Sequence, residues 1–256
     1  MPNAKFNKEI IKHNFSRAAD KYNDLASVQN YTAKNLVELS RNLIKADDKI
    51  IDLGCGTGFV KKYLLQHGSN NIFECDISLS MLKKSCDPSS KNHKVCCDFN
   101  NLPFAKHSFD IVISSFSLQW LDDFDLFLPQ IHTLLKDEGK LIFAIPNSES
   151  FEELKRLNLF TLNELPKNDL IKQMLEKHGF KELLFSQEVL IQEFPDPFKA
   201  VKFIKNIGAN YSPKSITSEK LVSTLRSFYL KNCGDKNKNF RLSWKISFFC
   251  LKKNKL

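Results

Sequence analysis

The residues KIIDLGCGTG, numbers 49–58, carry the strongest structural signal in the sequence. They join a short apolar run, Ile50 to Leu53, to three of the chain's eight glycines, and residues 59–67 follow with apolar side chains at helical spacing. Glycines between a buried strand and a helix let the backbone turn tightly and approach a ligand closely. The stretch therefore predicts a strand, a ligand-binding turn and a helix.

The same residues narrow the class of ligand. The third glycine of the dinucleotide pattern G-x-G-x-x-G would fall at position 59, which is Phe59, and no G-x-x-x-x-G-K-[ST] phosphate loop occurs. Asp52 lies on the predicted strand, two residues before Gly54. A carboxylate directed into this site suits a cationic ligand better than a pyrophosphate.

Strands and helices alternate on both sides of this turn. Helical spacing covers residues 5–45, 78–84, 126–135, 169–178, 197–207 and 221–230, and short β-like runs cover 71–75, 95–98, 109–114, 141–145, 183–194 and 244–251. Such alternation predicts βαβ units and an α/β fold with a doubly wound, mostly parallel sheet.

Acidic residues follow the next two predicted strands. Asp76 ends the second strand and can accept both hydroxyls of a ribose, while Asp98 ends the third and is placed to bind the amino group of an adenine. Phe99 is available to stack on the base. Each aspartate alone could simply cap the next helix, but together with the glycine turn they predict a nucleoside site at the carboxyl edge of the sheet.

Composition excludes several classes. The chain has 256 residues, 42% of them hydrophobic and 26% charged, which excludes disorder, collagen and coiled coil. No apolar run is long enough to span a membrane, and the N-terminus has no secretory h-region, so we expect a cytoplasmic protein. The seven cysteines form no C-x-x-C pair and the histidines lack metal spacing, which predicts reduced thiols and no metal site.

The net charge of +9 lies in the last part of the chain, because residues 151–256 hold 20 Lys and Arg against 11 Asp and Glu. A localised basic surface indicates an acidic partner, which could be a nucleic acid, an anionic membrane or a protein, or it is only a solvated surface.

The motifs together resemble a known family. Residues 51–58, Asp76, Asp98 and the run 109–115 resemble class I S-adenosylmethionine-dependent methyltransferases over roughly residues 45–150. The resemblance implies a seven-stranded sheet and S-adenosylmethionine as cofactor, with the glycine turn at the methionine part, Asp76 at the ribose and Asp98 at the adenine. The cofactor-binding residues expected from motif and resemblance are Arg17, Asp52, Gly54, Gly56, Gly58, Asp76, Ile77, Asp98, Phe99 and Ser115.

The flanking segments resemble malonyl-acyl-carrier-protein O-methyltransferases of biotin synthesis. The matching segments are residues 15–29, 115–120 and 194–210. The pattern Ser-x-x-Leu-x-Trp at 115–120 is shared with related methyltransferases and with hydroxylase-like assembly factors of respiratory complex I. The expected architecture is a single domain, monomeric, with lid helices in 1–45, a cofactor-binding core in 46–194, a helical substrate lid in 195–238 and the final strand in 239–256.

The resemblance implies methyl transfer to the free carboxylate of malonyl-acyl-carrier protein. Acyl-carrier proteins are acidic, which would suit the basic residues in 151–256. No general base is expected, because a carboxylate is already ionised at neutral pH. Substrate-contact candidates, which the sequence does not rank, are Tyr22, Trp120, Lys202, Lys205, Arg241 and Lys245. The alternatives are another small-molecule methyltransferase, acting on a quinone precursor or carboxylic acid, and a methyltransferase-fold hydroxylase or assembly factor. A nucleic-acid methyltransferase is disfavoured, because Ser114-Ser115-Phe116 stands where an N/D-P-P-Y motif would be.

Overall fold

A computed structural model describes residues 7–85, 93–155, 165–207, 227 and 239–254. Within these ranges the strands form a seven-stranded sheet in the order β3-β2-β1-β4-β5-β7-β6. The strands are β1 (Ile50–Leu53), β2 (Ile72–Asp76), β3 (His93–Cys96), β4 (Phe109–Ser115), β5 (Leu135–Pro146), β6 (Phe180–Phe194) and β7 (Phe240–Lys253). The pairs among β1 to β5 are parallel, and β7 is antiparallel to both neighbours. The predicted mostly parallel, doubly wound α/β sheet is confirmed.

Helices cover both faces of the sheet. They are α1 (Lys8–Ala18), α2 (Tyr22–Leu25), α3 (Ser27–Ser40), α4 (Phe59–Gln66), α5 (Leu79–Lys84), α6 (Phe124–Leu134), α7 (Glu152–Lys155), α8 (Asn168–Lys177) and α9 (Pro197–Asn206), with a 3-10 turn at Leu118–Trp120. The predicted boundary at α9 is confirmed, because the Asp196 side chain accepts the Lys199 N–H at 2.8 Å and Pro197 opens the helix.

The central strands divide the core into two layers because side chains alternate along a strand. Ile50 packs with Leu36 of α3 and Leu64 of α4 on one face of the sheet. Ile51, the next residue, packs with Leu128 of α6 and the helix α8 on the other face. All four residues of β1 are buried, which is what a central parallel strand covered on both faces requires.

The remaining predictions differ from the structure mainly at element ends. β5 begins at Leu135, where the sequence predicted the last residue of a helix, and β3 ends at Cys96, two residues before Asp98. The helix predicted for 221–230, and the part of the predicted lid 195–238 that follows α9, lie outside the described residues apart from Ile207 and Ser227. None of the described helices has the length and apolar character needed to span a bilayer.

Candidate active site

The glycine turn after β1 has a backbone that other residues would strain. Gly54 has a φ of +70°, and a Cβ placed there would lie 2.3 Å from Ser117 Oγ. Gly58 has a φ of +88°, and its Cβ would lie 2.3 Å from Ser85 Oγ. These positions require glycine for both conformation and space.

Asp76, at the end of β2, holds this turn in place. Its Oδ2 accepts the Gly56 N–H at 2.9 Å and its Oδ1 accepts the Ser78 N–H at 2.7 Å. Burial raises the pKa of Asp76 to about 6, although the two backbone donors lower it. The carboxylate is therefore positioned beside the turn and is ionised at neutral pH.

Asp52 is a buried carboxylate whose two oxygens have no hydrogen-bond partner among the described residues. Burial raises its pKa well above the usual range, and the charges of Glu74 and Asp76 raise it further. A buried acid without a partner is costly unless a ligand supplies a donor or a cation. This observation fits the ammonium group of a methionine-derived cofactor.

A buried ion pair lies beneath the turn. Lys61 of α4 lies 3.0 Å from Glu74 of β2, and both side chains are almost inaccessible. Glu74 also accepts a hydrogen bond from Ser85. Sequence reasoning missed this pair, although a glutamate within the apolar strand 72–76 was a visible signal.

A cavity opens at the carboxyl edge of β1, β2 and β4 and encloses about 830 Å³, part of which is open to solvent. It brings together ten of the sequence-predicted residues: Tyr22, Asp52, Gly54, Gly56, Asp76, Ile77, Asp98, Phe99, Ser115 and Trp120. Asp98 also accepts the Asn100 N–H at 3.0 Å. A Cβ at Gly56 would meet no atom within 4 Å, so the turn leaves open space there. With the unpartnered Asp52, this space fits S-adenosylmethionine.

The helices α1 and α2 contact the residues around this cavity. Ser16 Oγ lies 2.9 Å from Ser78 Oγ, and Asn23 Oδ1 accepts from Thr57 Oγ1 at 2.5 Å. The Phe15 ring packs edge-on against Trp120 at 5.8 Å between centroids, and Tyr22 stacks on Phe59 at 6.2 Å. Burial raises the pKa of Tyr22, so its phenol stays protonated and available as a donor.

A second cavity, of about 550 Å³, adjoins the first. The two share Phe15, Tyr22, Gln29, Phe116 and Trp120. The rest of the second lining is Gln119, Pro146, Phe151, Leu165, Ile204, Ile207 and Trp244. None of these described lining residues is charged, and most are apolar, so the second cavity suits the apolar part of a substrate.

Other predicted site residues lie elsewhere. Arg17 and Gly58 line neither cavity. Arg241 pairs with Glu193 at 3.1 Å, and Lys245 pairs with Glu149 at 3.0 Å. Lys202 is exposed on α9, and the side chain of Lys205 lies outside the described part of the chain.

Lys8 is a cation that sequence reasoning missed. It lines the first cavity, where its Nζ donates to the Trp120 carbonyl at 3.1 Å and lies 3.3 Å from Asp122. The signal was its helical spacing with Ile11 and Phe15, which line the same cavity.

Comparison with known proteins agrees with this geometry. Residues 51–143 match the family described as a methyltransferase domain. The malonyl-[acyl-carrier protein] O-methyltransferase of Hamiltonella defensa is 24% identical over 251 residues, covering 94% of this chain and 95% of that protein. Human mitochondrial arginine-hydroxylase NDUFAF5 is 30% identical over 188 residues, covering 69% of this chain and 53% of that protein.

A solved structure shares the fold. Phosphoethanolamine N-methyltransferase 2 of Haemonchus contortus, in complex with S-adenosyl-L-methionine, is 19% identical with a TM-score of 0.54 over 86% of this chain and 52% of that chain. The sheet order, the glycine turn with its acidic neighbours and the domain match lead to one assignment. The chain has the class I methyltransferase fold, its residues 51–143 match a methyltransferase domain, and its cofactor is S-adenosylmethionine.

Proposed function

We propose that this protein transfers a methyl group from S-adenosylmethionine to the free carboxylate of a malonyl thioester on acyl-carrier protein, a step in making the biotin precursor. The main observation is that an acid-lined cavity adjoins an apolar one and shares five lining residues with it. The relative from Hamiltonella defensa, which matches along 94% of this chain, carries the name of that activity.

The cofactor would occupy the first cavity. Asp52 would bind the amino group of the methionine part, and the backbone of Gly54 and Gly56 would face that part closely. Asp76 would accept from the ribose hydroxyls, as its position at the end of β2 suits. Asp98 would accept from the adenine amino group, with Phe99 against the ring. S-Adenosylmethionine supplies a methyl group that a carboxylate oxygen can take directly, leaving the C–S electron pair on sulfur.

Four of the residues predicted to bind the cofactor remain, namely Ile77, Ser115, Gly58 and Arg17. Ile77 and Ser115 line the wall of the first cavity, and Ser115 Oγ has no hydrogen-bond partner among the described atoms, so it would donate to the cofactor. Gly58 would act by holding the turn over Glu74 and Ser85 rather than by touching the ligand. Arg17, on the last turn of α1, would act only if this helix moves toward the cofactor.

The acceptor would enter through the second cavity. A malonyl carboxylate is ionised at neutral pH and needs no base. The protein's task is then to exclude water and hold the oxygen in line with the methyl group, which contributes up to roughly 7–11 kcal/mol. The aromatic rings of Phe15, Phe116 and Trp120 would exclude water, and the protonated Tyr22 would donate a hydrogen bond.

The carrier protein would approach along α9. Lys199 and Lys202 are exposed on this helix, while Ile204 and Ile207 line the second cavity. An acidic carrier would be steered to this face and would thread its thioester arm inward. We further propose that the protein acts in the cytoplasm as a monomer, a state that light scattering of the purified chain would test.

The human relative suggests a second candidate, hydroxylation of an arginine. It shares 30% identity over 188 residues, more than the Hamiltonella enzyme does, but over a shorter span. The two activities add different atoms to different acceptors, so one experiment separates them.

The test is mass spectrometry of carrier protein incubated with enzyme and S-adenosylmethionine. Malonyl-carrier protein should gain one methyl group, whereas acetyl-carrier protein, which lacks the free carboxylate, should gain none. The variant Asp76→Ala serves as the matched control for cofactor dependence. An unchanged malonyl-carrier mass would contradict the proposal, and an oxygen atom added to an arginine peptide would favour the second candidate.

A further inference from the structure

Gln119, in the second cavity, has a fixed carboxamide. Its Nε2 donates to the Phe116 carbonyl at 2.8 Å, while its buried Oε1 has no hydrogen-bond partner among the described atoms. The oxygen and nitrogen of a side-chain amide are often hard to tell apart. Here, rotating the Gln119 carboxamide by 180° would place Oε1 against the Phe116 carbonyl oxygen. The orientation is therefore defined, and Oε1 is a buried acceptor that lacks a donor.

Two residues that line the second cavity with Gln119 have a left-handed backbone conformation. Phe116 has a φ of 54° and Phe151 a φ of 61°, and both line the second cavity. Bulky residues rarely adopt this left-handed region, and those that do cluster where a ligand binds. The Phe116 N–H is held by the Ala144 carbonyl at 2.9 Å, so the carbonyl that anchors Gln119 is itself fixed.

The chemistry of the missing donor follows from the rest of the lining. Apart from Gln119, the polar groups among the described lining residues are the Gln29 carboxamide, the Tyr22 phenol and the indole N–H groups of Trp120 and Trp244, and none of these has a hydrogen bond to Gln119 Oε1. A carboxylate has no hydrogen to give, so it cannot satisfy Gln119 Oε1. A ligand group that satisfies this oxygen carries an N–H or O–H, and the mostly apolar lining suits an otherwise apolar chain. The thioester arm that carries acyl groups has such a group, an amide N–H close to the sulfur.

We propose that Gln119 Oε1 accepts a hydrogen bond from an amide N–H of the acceptor's thioester arm, so that the second cavity selects arm-linked acyl groups. The inference rests on the proposed function, since it takes the acceptor to be an acyl thioester. Gln119 lines only the second cavity, so its contribution is separable from cofactor binding.

The experiment compares two small substrates of equal size. One is the malonyl thioester of N-acetylcysteamine, which has the amide N–H, and the other replaces that amide by an oxygen ester, which has none. We expect the wild-type kcat/KM to favour the amide about tenfold, the worth of one buried hydrogen bond. Gln119→Met should abolish this preference, while its dissociation constant for S-adenosylmethionine, measured by calorimetry, stays within about twofold.

Two further variants distinguish recognition from a merely structural role. Gln130 of α6 also donates its Nε2 to a backbone carbonyl, that of Leu126 at 3.3 Å, but lines neither cavity, so Gln130→Met should keep the preference. Gln119→Glu would set a carboxylate oxygen against the Phe116 carbonyl and remove the anchoring donor, so it should lose the preference as Gln119→Met does. Because the readout is a ratio of two substrates, a general loss of activity does not change it.

The outcomes separate the two proposals. If wild-type enzyme methylates both substrates equally, or if Gln119→Met keeps the amide preference, the role of Gln119 is refuted and the malonyl methyltransferase stands. If wild-type enzyme methylates neither these thioesters nor malonyl-carrier protein, both proposals fall.

Discussion

The Asp76 carboxylate accepts the backbone N–H of Gly56 at 2.9 Å and so ties the end of β2 to the turn that follows β1. The second oxygen of Asp76 accepts from Ser78, at the start of α5. One side chain thus joins two βα turns and lines the first cavity.

The first prediction concerns Asp76. Asp76→Ala should weaken S-adenosylmethionine binding by tenfold or more, because each hydrogen bond to a charged acceptor contributes roughly 1.5–3 kcal/mol. Calorimetry measures the loss, and circular dichroism checks that the variant folds. Asp47→Ala removes an exposed aspartate and should bind like wild type. An unchanged affinity in folded Asp76→Ala would remove Asp76 from the site.

The second prediction concerns pH. Burial raises the pKa of Asp76 from 3.8 to about 6, so cofactor affinity should fall as the pH drops through about 6 and the carboxylate is protonated. The stability of the cofactor-free protein has the opposite dependence on Asp76. Between about pH 4 and 6 the folded protein holds a proton that the unfolded chain has released, so stability falls as pH rises, by up to about 3 kcal/mol.

Thermal unfolding across this pH range tests the stability effect. The variant Asp76→Asn does not titrate, so it should lose this part of the pH dependence. Parallel curves for wild type and Asp76→Asn would show that Asp76 keeps an ordinary pKa.

The third prediction compares two glycines of the turn. Gly54→Ala should destabilise the protein strongly, because its Cβ would overlap Ser117 and its φ of +70° disfavours alanine. Gly56→Ala has a φ of +55° but open space, so the cost should be only the conformational one, about 1–2 kcal/mol. Denaturant unfolding should therefore rank Gly54→Ala below Gly56→Ala. Equal losses would contradict the steric argument.

The fourth prediction concerns the basic face of α9. Lys199→Glu with Lys202→Glu should lower kcat/KM for malonyl-carrier protein several-fold, mainly through slower association, and should affect a short malonyl thioester much less. Lys106→Glu with Lys181→Glu reverses two charges at the starts of β4 and β6, the opposite edge of the sheet, and should leave both activities unchanged.

Salt provides an independent check of this prediction. The wild-type advantage of the carrier-bound substrate should shrink as ionic strength rises beyond the physiological range, where the Debye length is about 8 Å. Normal turnover of malonyl-carrier protein by the Lys199/Lys202 variant would refute carrier docking on α9.

The sequence predicted the part of the candidate site whose residues follow short motifs along the chain. The spacing of the glycine turn and of the acidic residues at strand ends is visible in the sequence. The structure places four of these residues in the lining of one cavity: Asp52, Gly56, Asp76 and Asp98. The topology of parallel strands brings their carboxyl ends together, so sequence position alone was sufficient there.

The candidate substrate-contact residues were harder to predict, because their role depends on which face of the sheet each side chain lies on. On β7, Phe240, Leu242 and Trp244 are buried, and Arg241 and Lys245 alternate with them and pair with glutamates instead. This strand period of two was readable in the sequence, but the choice of Arg241 and Lys245 as candidate cations did not use it. The left-handed φ of Phe116 and Phe151 had no sequence signal, since neither is a glycine or an asparagine.

Phe194, the last residue of β6, pairs with Phe240, the first residue of β7. The residues between them, 195–239, therefore form a ring that the sheet closes. Because the ends of this ring are fixed by the sheet, its entropy of closure changes slowly with its length, by about 0.6 kcal/mol for each doubling. A change in the length of this ring would therefore add little to the entropy cost of closing it. Substrate preference could be rebuilt within this ring, by graft or by natural variation, while the glycine turn after β1 stays intact.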